Sequence, residues 1–183
     1  MSHVPLRRSF LRKTTSIAAA GALFTIVPGI AAAALQPRSL AFDHTHTLET
    51  LSLIYARGES YIPQALGRLN YFLRDHYSGL VGEMDPNLYD ILHRLRVALG
   101  TKQAIEVISA YRHPSTNEHL RKTRGGGVAK RSLHMDGKAM DIRLPGVSLV
   151  ELRDAALALK AGGVGYYPRS NFVHVDTGRV RSW

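Results

Sequence analysis

Apolar residues recur at helical spacing in two stretches of the chain: Ile62, Ala65, Leu66, Leu69, Phe72 and Leu73 within residues 62–75, and Leu88, Ile91, Leu92, Leu95 and Leu99 after Asp85-Pro86. Side chains three and four apart share one side of a helix, so each stretch predicts an amphipathic helix. The second is bounded by its own chemistry: Asp85 can cap the first turn, Pro86 suits the first helical position, and Gly100 stops the pattern. Elsewhere the period shortens. Ser39 to Phe42 and Leu48 to Tyr55 have strand-like composition around a polar turn, which predicts a hairpin, and Ala104 to Ala110 is a short β-branched run. Lys138 to Leu144 alternates Ala139, Asp141 and Arg143 with Met140, Ile142 and Leu144, a strand with one apolar face and Asp141 on the other. Pro114 to Lys122 predicts one helical segment, and Arg124-Gly125-Gly126-Gly127 breaks it with a mobile loop. Ser148 and Glu151 form a capping box for a helix running to about Lys160, and Gly162-Gly163 leads into strands at Val164 to Tyr167 and Phe172 to Asp176. Strands in hairpin-like groups predict an α+β domain: a small, mainly antiparallel sheet, helices packed on one side, and a cleft across its polar face.

The first 34 residues follow a different plan. Arg7-Arg8-Ser9-Phe10-Leu11-Arg12 precedes a mostly apolar run from Ile17 to Ile30 and then Ala31-Ala32-Ala33-Ala34. This is the layout of an export signal, and the adjacent arginines before Ser-Phe-Leu resemble a twin-arginine signal. The apolar run is too short and alanine-rich for a membrane span, which needs roughly 20 strongly apolar residues. Residues 1–34 are therefore expected to be a twin-arginine-type signal peptide directing export to the periplasm, with a mature start near Leu35. Residues 35–183 are expected to form a single domain with no membrane span of its own.

Charge and cysteine content narrow the chemistry. The chain carries a formal charge of +10, but Arg7, Arg8, Arg12 and Lys13 fall in the signal, which has no acid, leaving 20 basic residues against 14 acidic ones. That residue of positive charge favours an anionic partner: wall polymer, lipid or nucleic acid. An exported protein never meets a chromosome and the chain has no nucleic-acid recognition motif, so nucleic acid is not expected. With no cysteine, any transition metal must be held by imidazole and carboxylate.

Those groups concentrate in the last third. His134 and Asp141 are seven apart with Gly137 between them, and His174 and Asp176 are two apart on a strand and so share a face. Neither pair has helical ligand spacing, and a lone His-x-Asp is more often a structural pair. Two histidines and a carboxylate without cysteine nevertheless describe a catalytic zinc site with a fourth position for water.

The segment Ser132-Leu133-His134-Met135-Asp136-Gly137-Lys138-Ala139-Met140-Asp141, joined to His174-Val175-Asp176, resembles the zinc site of the D-Ala-D-Ala carboxypeptidase and hedgehog-type metallopeptidases, with the pattern S-x-H-x-x-G-x-A-x-D and a distant histidine. The resemblance continues through residues 69–75, Ile108-Ser109-Ala110-Tyr111-Arg112, Gly162 to Pro168 and His174-Val175-Asp176-Thr177-Gly178, and is similar to the YcbK or MepK group of periplasmic murein endopeptidases. It implies a Zn2+ ion held by His134, Asp141 and His174, and a peptidoglycan substrate cut at its peptide cross-links, including those joining two diaminopimelate residues. It also implies that Arg112 contacts substrate or the developing oxyanion, against the plain alternative of a structural ion pair.

One departure matters. Many relatives carry a glutamate three residues before the last ligand as general base, and others a histidine two before it; here these are Asn171 and Phe172. Asp176 is then either the base or a partner that orients an imidazole. The missing glutamate keeps a metal-free wall-binding module in view, alongside a carboxypeptidase trimming D-alanine. His44, His46, His76, His93, His113 and His119 have no partner at ligand spacing and read as surface residues, with His113 adjoining Arg112. The Gly125–Gly127 loop, Tyr166 and Tyr167 are expected to border a groove, with alternation burying one of the tyrosines. Nothing in the pattern sets an oligomeric state. Replacing both Arg7 and Arg8 with lysine should leave the protein in the cytoplasm, as read by cell fractionation; normal export of the variant would rule out the twin-arginine route.

Overall fold

The computed structural model describes residues 36–124 and 126–183. The expected signal peptide, its cleavage site before Leu35, and Gly125 of the glycine run lie outside the described residues. The hairpin forms as β1 (Pro37–His44) and β2 (Thr50–Arg57), extended by a two-residue β3 (Ser60–Tyr61). Helices α1 (Pro63–Phe72) and α2 (Pro86–Ala98) follow. Asp85 caps α2 by accepting from the Asn87 N–H, and Gly100 closes it with φ of 62°. Next come β4 (Ile105–Ser109), α3 (Pro114–Thr123), β5 (Ala139–Arg143) and α4 (Leu149–Leu159), the last opened by the reciprocal Ser148/Glu151 capping box. Strands β6 (Gly163–Tyr167), β7 (Phe172–Asp176) and β8 (Arg181–Ser182) follow, with a 3-10 turn (Pro168–Ser170) between the first two.

The fold is α+β, but the sheet is larger and less uniform than its local patterns imply. Eight strands run in the order β3-β2-β1-β4-β5-β7-β6-β8. Five neighbouring pairs are antiparallel, while β1 with β4 and β6 with β8 are parallel, so the sheet is mixed. The chain between β1 and β4 leaves the sheet through α1 and α2 and returns beside its start, a long-range pairing that no local periodicity encodes. No helix among the described residues is long and apolar enough to cross a membrane.

Alternation divides the two faces. Met140 and Ile142 of β5 pair with Val175 and Val173 of β7 and join Leu40, Phe42 and Val107 in one buried cluster. Leu69 of α1, Leu88, Leu92 and Leu95 of α2 and Leu152 of α4 pack into that cluster. Burying a leucine or isoleucine side chain stabilises by about 1.5–3 kcal/mol, so this face fixes the strand register. Tyr166 packs against the core while Tyr167 lies on the opposite face, as alternation requires.

One expectation fails outright. His44 is not a surface residue: it is 2% exposed, and its ring contacts Phe72, His46 and His76. It ends β1, and its Nδ1 accepts from the N–H groups of His46 and Thr47, so the side chain itself closes the turn before β2. His76 is half-buried and stacks on exposed His46 at 4.1 Å. His93 and His113 are also half-buried, and only His46 and His119 of the six are exposed. Burial, with His46 close by, lowers the pKa of both His44 and His76 to about 4. Their folded-state pKa values lie below the unfolded value, so the unfolded chain takes up protons first, and stability is lost as pH falls from about 6.5 toward 4. Urea titrations should show a loss on the order of 1 kcal/mol per pH unit per histidine across that window. His44→Asn places an acceptor where Nδ1 stands but does not titrate, so it should flatten the slope; an unchanged slope would contradict this account.

Candidate metal centre

The first candidate ligand sits in a compact turn. Met135, Asp136 and Lys138 donate backbone N–H groups to carbonyls of Ser132 and Leu133, and Gly137 adopts φ of 66°. A Cβ at Gly137 would run into the backbone of Glu83, and the Gly137 carbonyl accepts from the Asp85 N–H at 2.9 Å. Glycine is therefore required both by the left-handed turn and by the close chain beside it. The turn presents His134, 3% exposed, with its Nδ1 2.7 Å from the Ala110 carbonyl. A carbonyl oxygen only accepts, so Nδ1 carries the proton and Nε2 keeps its lone pair for a metal.

Asp141 and His174 meet it from neighbouring strands. They are direct cross-strand partners on the face opposite Met140 and Val175. The His174 Nδ1 lies 2.8 Å from Asp141 Oδ1, and His134 Nε2 lies 3.3 Å from each of these two atoms. All three residues are buried. Ligands about 2.0–2.1 Å from a tetrahedral ion lie roughly 3.3 Å from one another, so the two 3.3 Å spacings match that geometry, the hydrogen-bonded His174–Asp141 pair is closer, and the nitrogen and oxygen donors suit zinc with a fourth position left over. Burial alone would raise the Asp141 pKa, but the His134 and His174 rings hold it well below the usual carboxylate range. Burial lowers the His174 pKa, yet hydrogen bonding to Asp141 and Asp176 outweighs it and the net shift is upward.

Asp176 stands on the other side of the His174 ring. Its Oδ2 is 3.1 Å from His174 Nε2, and it also accepts from the Gly163 and Gly178 N–H groups and from both terminal nitrogens of Arg181. The residue is 1% exposed. Burial would raise its pKa, but these donors, led by His174 and Arg181, bring it well below the usual range. A charged carboxylate so occupied makes Nε2 the protonated nitrogen of His174, leaving Nδ1 to face the ligand cluster.

Arg112 borders the cluster. Its N–H donates to the His134 carbonyl, its guanidinium donates to Asn117 Oδ1 and Ser109 Oγ at 3.4 Å each, and Nη2 lies 4.0 Å from Asp141 Oδ2. Buried Asp75 holds the next residue by accepting from the His113 N–H. Asn171 takes no part: it is exposed in the turn between β6 and β7 with φ of 56°, a conformation asparagine tolerates well. A cavity of about 560 Å³ lined by Arg38, Asp85, Asp90, His93 and Arg94 includes none of the three ligands, and its Asp90 is engaged by Arg38, Tyr55 and Tyr61.

Sequence reasoning overlooked Arg181 and Trp183. Their spacing of two after Gly178 was the available signal, since residues so spaced share a strand face, and a buried Asp176 needs a cation nearby.

The model of the family described as peptidoglycan L,D-endopeptidase MepK matches residues 32–183. The chain is 47% identical over 148 residues to the peptidoglycan L,D-endopeptidase MepK of Escherichia coli K12, covering 81% of each, and equally similar to the protein of that name from Shigella flexneri. It is 45% identical over 149 residues to a probable peptidoglycan L,D-endopeptidase MepK of Haemophilus influenzae, covering 81% of this chain and 80% of the relative. The family match spans both halves of the ligand cluster, and the chain belongs to the peptidoglycan L,D-endopeptidase MepK family of peptidases.

Proposed function

We propose that the protein is an exported zinc endopeptidase that hydrolyses peptide cross-links in peptidoglycan, including the bond joining the L-centre of one diaminopimelate to the D-centre of another. The observation that carries this reading is the convergence of His134 Nε2, Asp141 Oδ1 and His174 Nδ1, each with its other polar atoms turned away from the common point or bonded elsewhere. The substrate follows from the family and from the peptidoglycan L,D-endopeptidase activity of its relatives. When bound, zinc supplies a Lewis acid for the scissile carbonyl and a water acidic enough to attack near neutral pH.

The chain's own residues do the rest. Arg112 places a fixed positive charge beside Asp141, suited to a substrate carboxylate or to charge growing on the carbonyl oxygen. Asp176 acts as a positioning residue rather than the base: its oxygens are engaged, and it lies across the His174 ring from the ligand cluster. Exposed Lys130 and Arg131 immediately precede the His134 turn, and exposed Arg121 and Arg124 lie at the end of α3, basic groups suited to the carboxylates of stem peptides. The twin-arginine signal in residues 1–34 delivers the domain to the periplasm, where that polymer lies.

Digestion of purified sacculi by zinc-loaded protein should release products of cross-link cleavage, stop with EDTA, and be absent with His134→Ala. Binding to sacculi without hydrolysis in the presence of zinc would instead support the metal-free module, and release of D-alanine alone a carboxypeptidase; mass analysis distinguishes them. Asp176→Asn should weaken zinc affinity by about 10- to 100-fold, measured by competition with a chelating dye. Full zinc retention with turnover abolished would show that Asp176 is the base after all.

A further inference from the structure

Two glycines on β6 clear a track across the sheet beside the ligand cluster. Gly165 is the cross-strand partner of His174, and a Cβ there would come within 2.8 Å of the rings of both Trp183 and Tyr167. A Cβ at Gly163 would strike the Arg181 guanidinium and the Asp176 carboxylate. Arg181 and Trp183 can therefore lie flat over β6, Arg181 reaching Asp176 and Trp183 reaching the His174 ring at 5.3 Å between centroids. Tyr167 and Arg181 hold the indole. Its Nε1 donates to the Tyr167 hydroxyl at 2.6 Å, the Arg181 guanidinium lies 4.7 Å from its centroid, and Tyr167 stacks in turn on Phe172 at 4.6 Å.

This arrangement is costly for a residue with only a structural task. Trp183 remains 50% exposed, although its ring is oriented by a hydrogen bond, a cation and the missing side chain of Gly165. The exposed surface is on the sheet face that carries Asp141 and His174, next to the outer ligand. A fixed, half-wet aromatic surface beside a hydrolytic centre is suited to stacking on apolar parts of a substrate, because little entropy is lost in ordering it.

We infer that Trp183, supported by Tyr167 and Phe172, forms a substrate subsite beside His174 that takes the aliphatic portion of the cross-linked peptide, its methyl groups and diamino-acid methylenes. The inference rests on the peptidoglycan reading and names the part of the substrate that this side of the cleft holds. Arg181 serves both parts, tying Asp176 behind His174 and bracing the indole that substrate meets.

Trp183 is the single tryptophan in the sequence, so its emission reports on this subsite alone. In EDTA-treated wild-type protein, which cannot turn over, titration with purified diaminopimelate-cross-linked muropeptide dimers should shift the emission to shorter wavelength and saturate. In zinc-loaded protein, Trp183→Ala should raise KM about tenfold while kcat falls less than about threefold, with zinc stoichiometry kept, and Trp183→Phe should recover most of the loss. Should Trp183→Ala fail to fold, the emission titration and the Trp183→Phe kinetics decide. Emission that stays flat while calorimetry detects binding, or an unchanged KM in folded Trp183→Ala, would overturn the subsite. Absence of any product from zinc-loaded wild-type protein is the separate outcome that would overturn the peptidoglycan reading, and the subsite's ligand with it.

Discussion

Asp141 and His174 face each other because β5 and β7 pair in a single antiparallel register, and on the reverse face that same register buries Met140 against Val175 and Ile142 against Val173. A slip of β7 by one residue would expose Val173 and Val175 and turn His174 into the core, away from Asp141. Hydrophobic burial on one side of the sheet therefore sets the spacing of polar atoms on the other. His134 is brought to the same point by a turn that depends on Gly137 fitting against Glu83, so the third donor is fixed by backbone packing rather than by sheet register.

Position alone does not make a donor; the imidazoles must also present unprotonated nitrogens. The Ala110 carbonyl fixes one ring and Asp176 the other, at opposite ring positions, so His134 offers Nε2 and His174 offers Nδ1. Asp176 can remain charged while almost fully buried because two backbone N–H groups and the Arg181 fork surround it. The cluster is thus continuous with β8, whose two paired residues join the sheet edge beside β6. The same edge places Trp183 against His174, joining the ligand cluster to an exposed aromatic surface.

Much of this was legible in the chain. The alternation through Lys138–Leu144 put Asp141 on the polar face, the Ser148/Glu151 box and Asp85-Pro86 marked helix starts, and the motif around His134 gathered the candidate ligands. What escaped was long-range. The two-residue strands β3 and β8 are too short to show a period, and the parallel pairing of β1 with β4 joins segments separated by two helices. His44 ends a strand in a polar stretch, and nothing near it in sequence reveals that Phe72 and His76 close over it. The surroundings of Asp176 escaped as well, since Arg181 and two backbone N–H groups meet it only after folding.

The central claim is that two differently oriented imidazoles and one carboxylate form a single zinc site, and X-ray absorption at the zinc edge of the loaded protein tests it most directly. The account predicts four oxygen or nitrogen neighbours at roughly 2.0–2.1 Å, with the outer-shell scattering of two imidazoles in the wild type and of one in His174→Ala. A shell without imidazole scattering, or one that His174→Ala leaves unchanged, would contradict it.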